Sequence, residues 1–350
     1  MRVLQLIDSL HAGGAERMAV TLANTLSERL EGSYLCATRA EGVLKESILP
    51  ATNYIFLNKK GTLDLSALWR LRKFIKQHKI IIVHAHTTSY FFAALLKLTL
   101  PKLSVIWHEH HGNRVSTKRT GNKMLYLSSI FFSKIITVNV ALREWCKQQL
   151  ATKQVYYVPN FVVTSSFSEE IQVRQTTIVC LANLREPKNH LNLLKAFKKI
   201  HQQIPNWKLQ LVGSDYNDDY SDALKHFIST NRLTDAVELL GGNAQPEALL
   251  LGAAIGVLSS DSEGLPMALL EYGASGLAVV TTRVGYCEEV ISTFGKTVLP
   301  NNPEALSEAL LQYINDPDTR KNDAAAFKKH IEAQYSQNAI LPKLLALYKK

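Results

Sequence analysis

The sequence switches repeatedly between short unbroken apolar runs and longer stretches of helical period, and that alternation limits the chain to a few architectures. VLQLI (Val3–Ile7), IIIVHAH (Ile80–His86), LSVIWHEH (Leu103–His110) and KIITVN (Lys134–Asn139) each read as a strand, and helical sequence follows each. After the first run, Met18, Ala19, Leu22, Ala23, Leu26 and Leu30 recur at three- and four-residue steps, which predicts a helix with one buried face. TTIVCLAN (Thr176–Asn183), WKLQLVG (Trp207–Gly213), AVELLG (Ala236–Gly241), IGVLSS (Ile255–Ser260) and AVVTT (Ala278–Thr282) repeat the pattern further on. Strands that are apolar throughout must be covered on both faces, so the expectation is α/β with parallel sheets wrapped by helices.

At 350 residues the chain is too long for one ordinary core and comfortable for two. The polar, Ser-rich stretch VPNFVVTSSFSEEIQVRQ (Val158–Gln175) is the expected linker. The expected division is 1–162, 163–334 and a last short amphipathic helix within 335–350, whose LPKLLALYKK must pack on something. Two doubly wound, Rossmann-like domains in tandem would gather their strand C-termini around an inter-domain cleft, where open α/β sheets bind ligands.

Charge divides along the same line. Residues 1–162 carry 22 Lys+Arg against 9 Asp+Glu, and residues 163–350 carry 18 against 21, giving the net +10. A basic first half suits a phosphorylated substrate or an anionic membrane surface. No helix-turn-helix, RNP or zinc-finger pattern is present, so no nucleic-acid partner is expected. No apolar run reaches the eighteen or so residues that a bilayer crossing needs, and the first residues lead straight into a strand without a cleavage site. A cytoplasmic location is expected. Cys36, Cys146, Cys180 and Cys287 show no CxxC pairing and are expected to be buried free thiols.

Four stretches could carry chemistry. In EGLPMALLE, Glu263 and Glu271 bracket seven uncharged residues. Pro266 suits a first helical turn, which starts the helix near Leu265, leaves Glu263 just outside its N-terminus and Glu271 one to two turns inside, and places the two acids roughly 80° apart around its axis. They are too far apart for an acid/base dyad. They could grip two parts of one elongated ligand whose phosphate lies at the helix N-terminus, or be an ordinary N-terminal acid and an incidental helix acid. In ANLREPKNH, Arg185 and Lys188 between a strand and a helix are either a second phosphate grip or solvated loop cations. The glycines of HAGGAER (His11–Arg17) allow close approach of a ligand, or simply a tight turn. Histidines crowd two strand ends, His84 and His86 in HAH and His108, His110 and His111 in HEHH; hydrogen bonding to a polar substrate is favoured over a metal. The acidic DYNDDYSD (Asp215–Asp222) reads as a solvated helix start.

Together these stretches are similar, in order and over essentially the whole chain, to the GT-B glycosyltransferases of family GT4. EGLPMALLEYGASGLAVVTTRVG (Glu263–Gly285) resembles the family signature, and GGAER, VPN, ANLREPKNH, LVG and LGGNAQPEALLLGA match in sequence. The resemblance implies a retaining, metal-independent transferase that moves a sugar from a nucleotide-sugar to a glycan or lipid-linked acceptor, in cell-envelope polysaccharide synthesis. It places Glu263 at the sugar, Glu271 at the ribose and Lys188 on the diphosphate. The backbone of Gly264, Leu265, Pro266 and Met267 would face the donor. His110 matches the family histidine at the sugar, and Gly13 and Gly14 the loop near donor phosphate and acceptor. His86, His111 and Arg114 are acceptor-side candidates. No cofactor is implied. The last helix matches one that packs back toward the N-terminal domain, and KMLYLSSIFFSKI (Lys123–Ile135) is either a peripheral membrane contact or an ordinary core helix.

The chain departs from the family in three places. Asn183 stands where relatives carry a phosphate-binding arginine, which Arg185 could replace. LVGSDYN lacks a second glycine, and Ala278 replaces a proline. Two other readings stay open, an NAD-dependent or sugar-nucleotide-modifying oxidoreductase and a non-catalytic sugar-binding relative. The missing GxGxxG after Ile7 weighs against the first, and the retained glutamates and Lys188 against the second.

Overall fold

A computed structural model describes residues 1–167, 175–243 and 245–349. It resolves into two compact units, residues 1–160 with 343–350 and residues 161–342. The division falls after Asn160. Part of the expected linker is tied down within the second unit: Val162 N donates to Tyr335 O, and Gln337 N donates to Val162 O. Residues 168–174 of that stretch lie outside the described residues.

The first unit runs β1 (Arg2–Ser9), α1 (Gly14–Ser27), β2 (Gly32–Ala40), β3 (Asn53–Phe56), α2 (Leu65–Gln77), β4 (Ile82–His86), α3 (Tyr90–Thr99), β5 (Ser104–Glu109), α4 (Lys123–Ser129), β6 (Lys134–Thr137), α5 (Val140–Gln149) and β7 (Val155–Tyr157). All pairings are parallel, in the order β3-β2-β1-β4-β5-β6-β7. The pleat sends alternate residues to opposite faces. Leu4, Leu6, Val83, Ala85, Val105 and Trp107 enter one apolar core, while Ile7, Leu35 and Ala37 enter another. The helix expected after β1 buries Met18, Ala19, Leu22, Ala23 and Leu26 and stops before Leu30.

The second unit runs β8 (Thr177–Leu181), α6 (His190–Gln203), β9 (Lys208–Val212), α7 (Asp219–Thr230), β10 (Val237–Leu239), α8 (Glu247–Gly252), β11 (Ile255–Leu258), α9 (Met267–Ala274), β12 (Ala278–Thr282), α10 (Cys287–Ile291), β13 (Lys296–Val298), α11 (Pro303–Asn315) and α12 (Pro317–Tyr335). Its parallel order is β10-β9-β8-β11-β12-β13. The final helix α13 (Gln337–Lys349) ends in the first unit, where Lys134 Nζ donates to Leu347 O at 2.6 Å.

All nine expected strands are present, and the described residues contain four more that the sequence does not make evident. Of these, β3, β7 and β13 are sheet edges of three or four residues, too short to show a period. The polar residues of GSYLCATRA break the apolar run of β2. The acidic run does start a helix: Asp218 caps α7, accepting from Ser221 N at 3.0 Å. The four cysteines are buried and free. KMLYLSSIFFSKI is not one helix. Its α4 ends at Ser129 and strand β6 follows; Leu125 is buried, while Met124, Leu127 and Ile130 are 51%, 53% and 59% exposed. No helix among the described residues is long and apolar enough to cross a membrane.

Each sheet has one place where neighbouring strands lead their connections in opposite directions. It lies between β1 and β4 in the first unit and between β8 and β11 in the second. Such switch points open a crevice at the strand C-termini.

Candidate functional site

In the second unit the two loops at the switch point are stapled together. The loop after β8 carries Arg185 and Lys188, and the loop after β11 carries Glu263. Asp261 N donates to Pro187 O at 2.8 Å, Asn189 Nδ2 to Asp261 Oδ1 at 2.8 Å, and Ser259 Oγ to Lys188 O at 3.1 Å. Lys188 Nζ meets Glu263 Oε1 at 2.6 Å, with only 21% and 8% of these side chains exposed. Ser260 Oγ donates to the same carboxylate oxygen at 2.6 Å, and Thr282 Oγ1 at the end of β12 donates to Ser260 O at 2.6 Å. The sequence shows two separate cations and acids; the fold makes one charge pair of residues 75 apart.

Helix α9 starts at Met267, later than the expected Leu265, with Pro266 as an extended N-cap at φ −73° and ψ 120°. A proline φ suits either state, and the extended ψ lets the preceding loop lie against Gly285. Gly285 has φ +53°, and a Cβ there would sit 1.9 Å from Glu263 O, so only glycine fits. Tyr286 N donates to Gly264 O at 3.2 Å. Glu263 lies outside the helix, as expected, but the extended backbone before Met267 means that the 80° separation from Glu271 does not apply. Glu271 lies inside α9 and is 4% exposed. The next residue fixes the helix on the sheet. The hydroxyl of fully buried Tyr272 accepts from Leu181 N at 2.6 Å and donates to Val257 O at 3.1 Å, bridging β8 and β11. Removing it would strand buried backbone groups at about 1–3 kcal/mol.

Asn183 spans the neighbouring loops, accepting from Ser214 N at 2.9 Å and donating to Tyr216 Oη at 3.2 Å. Arg185 is exposed beside it. Gly213 approaches Ala182 so closely that a Cβ would lie 2.0 Å from its carbonyl oxygen. A single glycine serves that contact.

In the first unit, the switch point holds Gly13, the extended N-cap of α1, and Gly14 at its first turn. This helix end follows β1 directly, and Arg17 N donates to Gly13 O at 2.8 Å to close its first turn. On β4, on β5 and just past its end, the rings of His84, His86, His108 and His110 lie against one another, with neighbouring centroids 4.0–5.5 Å apart. His86 Nδ1 and His110 Nε2 are 3.1 Å apart, and His86 Nε2 lies 2.9 Å from Gln5 Oε1. His86 is fully buried, so a substrate in the crevice meets His110, which is partly open at the strand end, before it meets His86. One ring nitrogen each of His84, His86 and His108 lies within 4.8 Å of the others. Arg114 and His111 instead gather around Glu109, which is fully buried. Arg114 is ion-paired to it, and His111 N donates to Glu109 Oε1 at 2.8 Å. Glu109 thus holds two acceptor-side candidates in place, a role that its position among histidines does not reveal.

Burial keeps this cluster uncharged. It pushes His84 down to about 3 and holds His86 and His108 well below the usual imidazole value; in the second unit it pushes His190 to about 4. In the unfolded chain these rings titrate near 6.5. Their contribution to stability is therefore complete above that pH and is lost as pH falls below it, by up to about 1.4 kcal/mol per ring per pH unit. The expected outcome is a Tm that declines steadily from about pH 7 to about pH 5, as followed by circular dichroism. A flat Tm would contradict neutral burial.

Comparison with known proteins agrees with this architecture. The family described as "Glycosyl transferases group 1" matches residues 163–330, and "Glycosyltransferase Family 4" matches residues 12–166. An uncharacterized glycosyltransferase of Haemophilus influenzae is 22% identical over 324 residues, covering 88% of each chain. The UDP-Gal:alpha-D-GlcNAc-diphosphoundecaprenol alpha-1,3-galactosyltransferase of Escherichia coli is 26% identical, over 63% of this chain and 62% of its own. Among solved structures, Anabaena HepE in complex with UDP-glucose superposes with a TM-score of 0.82 at 16% identity, over 100% of this chain and 99% of that one. With both sheets in the GT-B arrangement and the two family matches meeting near the break between the units, the chain belongs to the group 1, family 4 glycosyltransferases.

Proposed function

We propose that this glycosyltransferase moves a sugar from a nucleotide-sugar to a lipid-linked cell-envelope glycan with retention at the anomeric carbon. The observation that carries the reading is the Lys188–Glu263 pair at the switch point of the second unit. As the glycosidic bond breaks, negative charge grows on the leaving diphosphate. An ammonium and a helix N-terminus already in place stabilise that charge without a metal. Lys188 and the backbone at Gly264–Met267 are given the diphosphate, with Arg185 beside it. Glu263 is given the sugar and Glu271 the ribose. In the first unit, the same reading gives His110 the sugar and Gly13 and Gly14 the approach to phosphate and acceptor.

The E. coli relative supports the stereochemistry and the acceptor class, since its name specifies an alpha linkage and a diphosphoundecaprenol acceptor. UDP-sugars are the first donors to try, because HepE was solved with UDP-glucose. In assays with a productive donor and acceptor, Lys188→Ala and Glu263→Ala should each lower kcat by about 100- to 1,000-fold. Lys188→Ala should also lower stability by about 1–3 kcal/mol, below the value for a sealed ion pair, because the lysine stays partly open to water. Turnover should survive EDTA. Unchanged activity in both variants, or complete loss in EDTA reversed by Mn²⁺, would refute this site.

The first unit is also proposed to lie against an anionic membrane, at the inner face of the plasma membrane. Its excess of lysine and arginine and the exposed Met124, Leu127 and Ile130 support this face. The protein should co-sediment with phosphatidylglycerol vesicles more than with phosphatidylcholine vesicles, and Leu127→Glu with Ile130→Glu should abolish the difference. Equal sedimentation of the unaltered protein with both would count against it.

A further inference from the structure

The histidine stack of the first unit contains more nitrogen than its hydrogen bonds use. Parallel pairing sets His86 of β4 beside His108 of β5, and His84 shares their face two residues earlier. His84 and His86 are fully buried, and His108 is 3% exposed. Nε2 of His84 and both ring nitrogens of His108 have no hydrogen-bond partner. A buried polar atom left so costs about 1–3 kcal/mol. One ring nitrogen each of His84, His86 and His108 lies within 4.8 Å of the others, which points to a ligand that takes electron pairs.

The outer sides of two rings are anchored. Tyr348 Oη lies 2.5 Å from Nδ1 of His84, and Gln5 Oε1 lies 2.9 Å from Nε2 of His86. Since that oxygen can only accept, His86 carries its proton on Nε2 and its lone pair on Nδ1. Such outer hydrogen bonds set the tautomer and orientation of metal-bound imidazoles. Burial supplies the neutral form that a metal requires.

We propose that His84, His86 and His108 form a three-nitrogen site for a divalent d-block cation, with Zn²⁺ the best match. Imidazole is a preferred ligand of that class of ion, and three histidines leave one coordination position open. His86 Nδ1 exchanges its contact with His110 for the metal, and the partly open His110 side is the way in. The ion ties β4 to β5 and, through Tyr348, to the end of α13. This role is structural and does not depend on the donor site at Lys188 and Glu263, so stripping the ion lowers Tm and leaves turnover in place.

The test uses the full chain, stripped with a chelator, dialysed and titrated with Co²⁺. Equimolar uptake with the visible d–d bands of tetrahedral, nitrogen-ligated Co²⁺ is expected, and Zn²⁺ should displace them and raise Tm. His108→Gln should lose the bands with an unchanged far-ultraviolet spectrum, and Tyr348→Phe should weaken Co²⁺ binding about 10-fold. His226→Gln, at an exposed position of α7, should keep them. X-ray absorption of the Zn²⁺-loaded unaltered protein should show imidazole nitrogens as the protein ligands, which decides the matter if the variants do not fold. No Co²⁺ bands and no Tm rise, bands that persist in folded His108→Gln, or a sulfur shell would overturn the site.

Discussion

The hydrogen-bonded neighbourhood of β8 and β11 is the constraint on which the second unit's chemistry rests. Because these strands pair in parallel and lead their connections apart, their following loops meet at one crevice. Tyr272 locks both strands to α9, Gly285 lets the β12 loop press against Glu263, and Ser260 fixes the carboxylate. Lys188 is then held by opposite charge in a site already folded around it. Preorganisation of this kind matters because a group fixed before reaction needs no reorganisation as charge develops.

The first unit uses the same topological device with different chemistry. Its switch point presents a glycine-started helix, and the adjoining strand ends present uncharged histidines and not an ion pair. Charge is kept off the imidazoles by burial and confined to Glu109 and Arg114 on the neighbouring turn. One unit thus offers fixed charge at its strand ends, and the other offers hydrogen-bonding rings.

The sequence made the central strands legible because their apolar runs are long enough to be recognised. Edge strands such as β3 and β13 were hidden by their shortness, and β2 by its polar residues. Lys188, Glu263 and Glu271 could be picked out by type and by their place at strand and helix ends. Their relation could not, because the contact between Lys188 and Glu263 exists only once two distant strands pair. Pro266 was misplaced by one step because proline's φ fits an N-cap as well as a first turn. No linear pattern shows that the Ser260 hydroxyl reaches Glu263 or that Gly285, at the end of the signature stretch, lies against the Glu263 backbone. For the histidines, alternation gave the shared face, but only the packing shows which nitrogens lack partners.

The central claim is that the crevice at Lys188 and Glu263 binds the diphosphate of a sugar donor. It is tested most directly by thermal shift of the unaltered protein and Lys188→Ala against UDP-, GDP- and ADP-sugars, with NAD(H) in parallel. The account predicts that one nucleotide series raises the Tm of the unaltered protein and that Lys188→Ala loses most of that rise. A rise with NAD(H) and none with any nucleotide-sugar, or an equal rise in the variant, would contradict it.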